Sequence, residues 1–353
     1  MGTKEDNMCN FKKRIALVMT ALTLTAGMLT GCGKTVDKNA VTATVNGDEI
    51  TLGTANFYAR YHQAMFETQY GAYLGENIWG TMADEEKNME ESTKDSVMES
   101  LKQMYVLEDH MEDYGIVITD EEKAKIEEAS KKFMEANSKE VKEVISADEE
   151  TVSRILTLIT IEDKMRDEII KDVDQNVADE DAAQKSMEYV FFSTSKTNDE
   201  GQSQEMSDEE KAEVKTKAEE YIQGAKTAED LKAYTEEAGY TLLTKSFDSE
   251  DIDPSEEMIK AADQLKEGEF TEVIETETGY YVAKLTSEFD PEATELEKKN
   301  IVLDRQNEKY TEVVDGFMKD AKIDVNEKEW KKISFSGQSV KMKMEAPQEE
   351  QEK

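Results

Sequence analysis

The first regular pattern in the chain is an alternation. In Val41-Thr42-Ala43-Thr44-Val45-Asn46-Gly47-Asp48-Glu49-Ile50-Thr51, apolar and polar residues alternate around an Asn-Gly pair. This spacing predicts two short strands joined by a tight turn. From about Thr54 the period lengthens to that of a helix carrying Phe57, Tyr58, Tyr61, Phe66, Tyr70 and Tyr73. Helical spacing then dominates from Asp84 to Asn176. Val97, Leu101, Met104, Leu107 and Met111 share one face, and Gly115 is the natural stop. Thr119-x-x-Glu122 and Ser146-x-x-Glu149 read as capping boxes that start two more helices. Val152, Leu156, Ile159, Met165, Ile169 and Val173 give the last of these an apolar stripe. None is apolar all round, so each must bury one face against the others.

The pattern changes over Ser186–Ser287, which reads as strand, two helices, strand, short helix, strand. Met187, Tyr189 and Phe191 share one face of its first strand, and Ser195–Ser207 reads as an exposed polar loop. Ser207-x-x-Glu210 caps one helix, Thr227 is expected to begin another that ends at Gly239, and Tyr240–Phe247 is a strand. Asp253-Pro254 is expected to open the short helix, with proline at the first helical position. Asp290-Pro291 repeats that device before a long helix lined by Leu296, Leu303, Tyr310, Val313 and Phe317. A lone amphipathic helix is unstable in water, so this one is expected to return onto the N-terminal helices, with the aromatic residues of 57–79 as its contacts. From Gly337 the chain is polar, and a disordered tail is expected over 336–353.

Composition narrows the partners. The 353 residues carry 43 basic and 81 acidic side chains, a net charge of −38, which argues against nucleic acid and against electrostatic docking on anionic lipid. The surplus reads first as a solvated, self-repelling surface. The two cysteines, Cys9 and Cys32, both precede the folded region, so neither a disulfide nor a thiol nucleophile is expected within it. Lys12-Lys13-Arg14, the apolar run Ile15–Met28, and Leu29-Thr30-Gly31-Cys32 have the order of a secretory signal. The apolar run is shorter than the ~20 residues that a spanning helix needs. The last four residues resemble the lipobox of bacterial lipoproteins. That resemblance implies removal of residues 1–31 and lipid attachment at Cys32, with residues 32–40 as a lipidated tether on the extracytoplasmic face of the cell membrane.

Two further resemblances concern the folded region. Val45-Asn46-Gly47, Ile50-Thr51 and a helix bearing Phe57-Tyr58 resemble the entry to the chaperone domain of SurA- and PrsA-type foldases. Gly268-Glu269-Phe270, followed by Thr278-Gly279-Tyr280-Tyr281-Val282, resembles the close of the parvulin (PpiC-type) peptidyl-prolyl isomerases. The implied fold is α+β: a helical SurA/trigger-factor-like chaperone domain over 41–180, completed by a C-terminal helix over 288–335, with a parvulin-like domain inserted at 186–287.

The two histidines that the parvulin family uses fall on Tyr189 and Tyr281, and the chain's only histidines, His62 and His110, lie elsewhere. Prolyl isomerisation faces a barrier of ~18–20 kcal/mol from amide resonance, and an apolar pocket that holds a twisted amide needs no metal or cofactor. The candidate groove is Tyr189, Phe247, Met258 and Tyr281, flanked by Phe191 and Phe270, any of which could equally fill the core of a small sheet. Asp248–Asp253 fails the test for a calcium loop, lacking glycine at its sixth position and an acid at its twelfth. No metal and no cofactor are expected. Phe57, Tyr58, Tyr61 and Phe66 are candidate client contacts. The reading is a membrane-anchored foldase for unfolded, newly translocated proteins, with two alternatives open: an isomerase with a tyrosine-based site, and a surface adaptor or binding lipoprotein.

Overall fold

The computed structural model describes residues 24–28, 36–75, 77–197 and 202–343. Cys32 and most of the leader lie outside them. The chain divides into two compact units, Met1–Asp172 with Glu308–Lys353, and Val173–Asn307.

In the first unit β1 spans Leu24–Met28, β2 Val41–Val45 and β3 Asp48–Thr51. Asn46 and Gly47 turn β2 into β3 with φ of 51° and 102°, as the Asn-Gly pair predicts. Thr51 caps α1 (Leu52–Leu74) by accepting the Thr54 amide. The helices α2 (Met89–Asp109), α3 (Asp120–Ala136), α4 (Lys139–Val144) and α5 (Glu149–Ile170) follow. The Thr119–Glu122 capping box forms. The one expected at Ser146 does not. Ser146 sits at φ 57° and takes a hydrogen bond from Asn56 Nδ2, while Asp148 caps α5 through the Thr151 amide. Among the expected tether residues, Val36 packs on the core and the Lys38 carbonyl accepts the Gly53 amide, so 36–40 is fastened to the start of α1.

In the second unit β4 (Lys185–Ser193) leads to a short exposed hairpin, β5 (Ser195–Thr197) with β6 (Ser203–Glu205), where a plain loop was expected. Then come α6 (Asp208–Ala225), α7 (Leu231–Glu237), β7 (Leu243–Phe247), α8 (Glu256–Asp263), β8 (Ile274–Glu275) and β9 (Gly279–Ser287). Ser207 caps α6 as predicted. Asp230 instead of Thr227 caps α7, and Ser255 instead of Asp253 caps α8. In both cases the side chain that reaches the orphan amides stands immediately before the helix. The antiparallel sheet has the order β7-β4-β9-β8.

The long helix α9, Pro291–Asp320, begins in the second unit and ends in the first. Residues 173–180 and 288–307, expected with the helical domain, cluster with the second unit. Arg305 donates to the carbonyls of Asp174 and Asn176, Lys298 pairs with Asp179, and the Gln184 amide donates to Thr294 Oγ1. Leu296 and Leu303 are exposed. In the first unit the far end of α9 packs on α2 and α5. Val314 is buried with Leu107, Ile161 and Met165, and Phe317 stacks on His110 at 3.9 Å.

Phe317 and Met318 of α9 pack on the core that holds Phe57 and Tyr58, and α1 also meets the segment that follows α9. β10 (Ile323–Val325) adds to β2, α10 (Glu327–Trp330) follows, and β11 (Gln338–Met342) pairs with β1 and lies on α1. This replaces the disordered tail at 338–342: Val340 is fully buried, and Trp79 meets Phe335 at 4.7 Å.

Candidate functional site

The sheet of the second unit has apolar residues on both faces because β4 and β9 alternate without a polar side. Val190, Phe192, Tyr280 and Val282 pack with Tyr221 and Ile222 of α6. Met187, Ala283, Leu285 and Tyr281 pack with Phe247 of β7 and with Met258 and Ile259 of α8. The register places Phe191 opposite Tyr281, with ring centroids 4.7 Å apart, and sets Tyr189 on the diagonal at 6.1 Å. Gly279 makes the close approach possible, since a Cβ there would lie 2.2 Å from the Phe192 carbonyl oxygen. This is the physical content of the Gly-Tyr pair in the sequence.

The four candidate groove residues thus fall in one cluster. Phe247 and Met258 are fully buried and Tyr281 nearly so, leaving Tyr189, Phe191 and Ile274 at the half-exposed margin. Burial pushes both phenol pKa values up. The neighbouring Tyr189 adds to the effect on Tyr281, and Asp253 adds to it on both. Both hydroxyls are therefore protonated at neutral pH and can donate to a carbonyl oxygen. As placed, Phe247 and Met258 fill the core between β7, β9 and α8, so they are not free to grip a proline ring.

The first unit arranges its chemistry differently. Arg60, Gln63 and Glu67 recur at helical spacing on the buried face of α1 and read the backbone of the C-terminal segment. Arg60 donates to Gln63 Oε1 at 2.6 Å and to the Ser334 carbonyl at 2.8 Å. Gln63 donates to Glu67 Oε1 and to the Gln338 carbonyl, both at 2.7 Å. Glu67, only 6% exposed, also accepts from Trp79 Nε1 at 2.8 Å and from the Val340 amide at 3.1 Å. Burial lowers the Arg60 pKa to about 10, against the opposing pull of Glu90 and Glu67. At the start of α2, Glu90 accepts the amides of Phe335 and Ser336 at 2.9 and 3.1 Å. Desolvation pushes the Glu90 carboxyl up, but hydrogen bonds from Ser336, Ser334 and these amides outweigh it and hold the pKa below the ordinary carboxylate range.

Of the candidate client contacts, Phe57 and Tyr58 belong to the core. Phe57 meets Phe133 edge-on at 5.5 Å, and Tyr58 meets the ring of His62 at 4.6 Å. Burial lowers the pKa of His62 and keeps its ring neutral. Tyr61 and Phe66 are half-buried, and Phe66 packs on Trp79. The open apolar surface begins where those residues stop. Met65, Tyr70, Tyr73, Leu74 and Met82 are exposed, Tyr73 by 87%. Phe66, Tyr70, Tyr73 and Leu74 stand at i, i+4, i+7 and i+8 and so follow one helix face. The sequence signal for this stripe was the aromatic run continuing past Phe66. Its exposure depends on where the covering segment ends, which no local pattern records.

Comparison with known proteins gives one match for each region. A SurA-like N-terminal domain matches residues 7–145, and a PPIC-type PPIASE domain matches residues 175–298. The foldase protein PrsA of Clostridium botulinum strain Langeland is 27% identical over 308 residues, covering 81% of this chain and 88% of that protein. PrsA of the Hall strain is 27% identical over 313 residues, with the same coverage. Among solved structures, PrsA from Lactococcus lactis covers 84% of this chain at 18% identity with a TM-score of 0.33. PrsA from Bacillus cereus covers 70% at 19% identity with a TM-score of 0.31, so both likenesses are loose.

Proposed function

Because the chain joins a SurA-like N-terminal domain to a PPIC-type domain, we propose that it is an extracytoplasmic foldase that holds unfolded, newly translocated proteins while they fold. The observation that carries this reading is the exposed apolar stripe Tyr70, Tyr73 and Leu74 at the end of α1. Contiguous exposed apolar side chains mark interaction sites on soluble proteins. Here they stand on a strongly acidic molecule whose charge would keep loaded complexes apart. The PrsA relatives carry the name foldase over most of their length, which supports the same role. Attachment through a lipid on Cys32 is part of the proposal. Among the described residues no helix is long and apolar enough to cross a membrane.

The test is aggregation of a denatured secreted protein, followed by light scattering, with the whole chain present. The reading expects wild type to suppress scattering and a Tyr73→Ser, Leu74→Ser double variant to lose much of that effect. Scattering as fast as in buffer alone would dismiss the foldase reading. A second reading, prolyl isomerisation, is favoured by one observation: the rings of Tyr189 and Tyr281 lie 6.1 Å apart in one cluster, with Tyr189 half-exposed. NMR exchange on an Ala-Pro peptide discriminates, since an active site would show catalysed exchange that falls in Tyr281→Phe. The adaptor alternative predicts a single stable partner in place of many clients.

A further inference from the structure

The C-terminal strand β11 has two edges with different partners. On one edge the Val340 amide donates to Glu67 and the Met342 amide to Thr68 Oγ1 of α1. Successive amides of a strand point to opposite sides, so those of 339 and 341 face away from α1. On that side lies β1, antiparallel, in register from Leu24 opposite Met342 to Met28 opposite Gln338. Among the described residues it is the only strand partner of β11. The slot that holds β1 is closed by α4, which packs on it. Leu24 is 5% exposed and joins the main core, and its amide donates to Asn137 Oδ1 at 2.8 Å. Asn137 is itself buried and fixed by donating to the Phe133 carbonyl at 2.9 Å. The slot is therefore built from a strand edge, an apolar socket for one large side chain, and a buried amide oxygen that requires a backbone N–H at that residue.

Leu24–Met28 belongs to the apolar run that the sequence assigns to a removable leader. Once it is gone, β11 is left with an unpaired edge, which accepts extended chains by strand addition. We propose that this slot is a peptide-binding site that takes an extended apolar segment of an unfolded protein, antiparallel to β11, in the place that Leu24–Met28 fills within this chain. The inference rests on the foldase reading and on removal of the leader. It adds a register and a preference: a large apolar residue in the Leu24 socket that is not proline. The site is continuous with the exposed stripe, because β11 ends beside Thr68 and Gly71, one turn from Tyr73 and Leu74.

The test uses the whole chain and a fluorescein-labelled peptide with the sequence of residues 22–30, read by anisotropy. In wild type the tethered segment competes, so binding should be weak. Leu24→Asp, which expels the segment, should bind the peptide at least about tenfold more tightly. Thr25→Pro, which cannot pair with β11, should do the same if the first variant folds poorly. Unchanged emission from Trp79 and Trp330 would confirm the fold. A peptide with proline at the Leu24 position should bind Leu24→Asp at least about tenfold more weakly than the parent peptide. Equal affinity of both variants and wild type, or equal affinity for the two peptides, would overturn the site. Suppression of client aggregation without the peptide gain removes the slot and keeps the foldase reading. The peptide gain without any suppression supports the slot and contradicts the foldase reading.

Discussion

The first unit fastens its last strand with buried charge and leaves an apolar stripe open on α1; the second packs apolar side chains on both faces of its sheet, and its largest apolar exposures, Ile252, Leu296 and Leu303, lie off that sheet. In the first, Arg60 and Glu67 lie inside the protein, bonded to the side chains of Gln63, Trp79, Gln338 and Ser339 and to the backbone of Ser334 and Val340. In the second, Phe247, Met258 and Leu285 close one face, and Phe192 and Val282 the other. The contrast separates two uses of apolar side chains. The sheet of the PPIC-like unit spends most of its apolar side chains on its own core, while α1 presents Tyr73 and Leu74 to solvent at its end.

The largest effect should come from breaking the charged clasp. Glu67→Ala removes one of the two carboxylates near buried Arg60 and leaves Trp79 Nε1 and the Val340 amide without their acceptor, a loss of about 1–3 kcal/mol for each orphaned donor. Both tryptophans of the chain, Trp79 and Trp330, lie in the first unit. Urea unfolding followed by their emission should therefore shift strongly. The same variant should leave near-ultraviolet tyrosine signals of the second unit in place. A single transition unaffected by the substitution would show that the clasp is not a determinant of stability.

Gly279→Ala probes the other side of the contrast. Its Cβ would press on the Phe192 carbonyl and the Phe191 ring, so β9 must move from β4 at a cost of about 1–3 kcal/mol. Amide exchange in β4 and β9 should accelerate while the tryptophan transition stays where it is. Coincident loss of both units would instead mean that they unfold as one.

A smaller effect concerns acid. The folded-state pKa of Glu90 lies below its ordinary value, so its stabilisation is present above the ordinary carboxylate range and is lost as pH falls through the folded-state pKa. Docking of the segment around Phe335, read by Trp79 emission, should weaken on acidification, and Glu90→Gln should flatten that pH dependence. A Glu90→Gln profile that overlays wild type would assign the change to other carboxylates.

Much of this organisation is legible in the sequence wherever the deciding contacts are local. The Asn46-Gly47 turn and the capping boxes at Thr119 and Ser207 depend on residues a few positions apart. Three helix starts, at Ser146, Thr227 and Asp253, were misplaced because Ser, Thr and Asp are all good caps, and only the backbone path selects Asp148, Asp230 and Ser255 instead. The strand at 338–342 was missed for a different reason. Its sequence is short and polar, and what holds it is Glu67, more than 270 positions earlier. Burial of Phe57 and Tyr58, with exposure of Tyr73, follows from where that strand and its neighbours end. That Tyr189, Phe247, Met258 and Tyr281 share one cluster was readable, and the closed packing of Phe247 and Met258 was not.

On the proposed function, client holding belongs to the open stripe of the first unit and not to the phenols of the second. The most direct measurement compares aggregation suppression by wild type, by Tyr73→Ser with Leu74→Ser, and by Tyr189→Phe with Tyr281→Phe, each at equal concentration and with an unchanged melting profile. The first double variant should lose at least about threefold in suppression, since a few central aromatic and apolar side chains dominate such contacts, and the phenol variant should match wild type. Full suppression by the stripe variant together with loss in the phenol variant would contradict the account and move the working surface to the second unit.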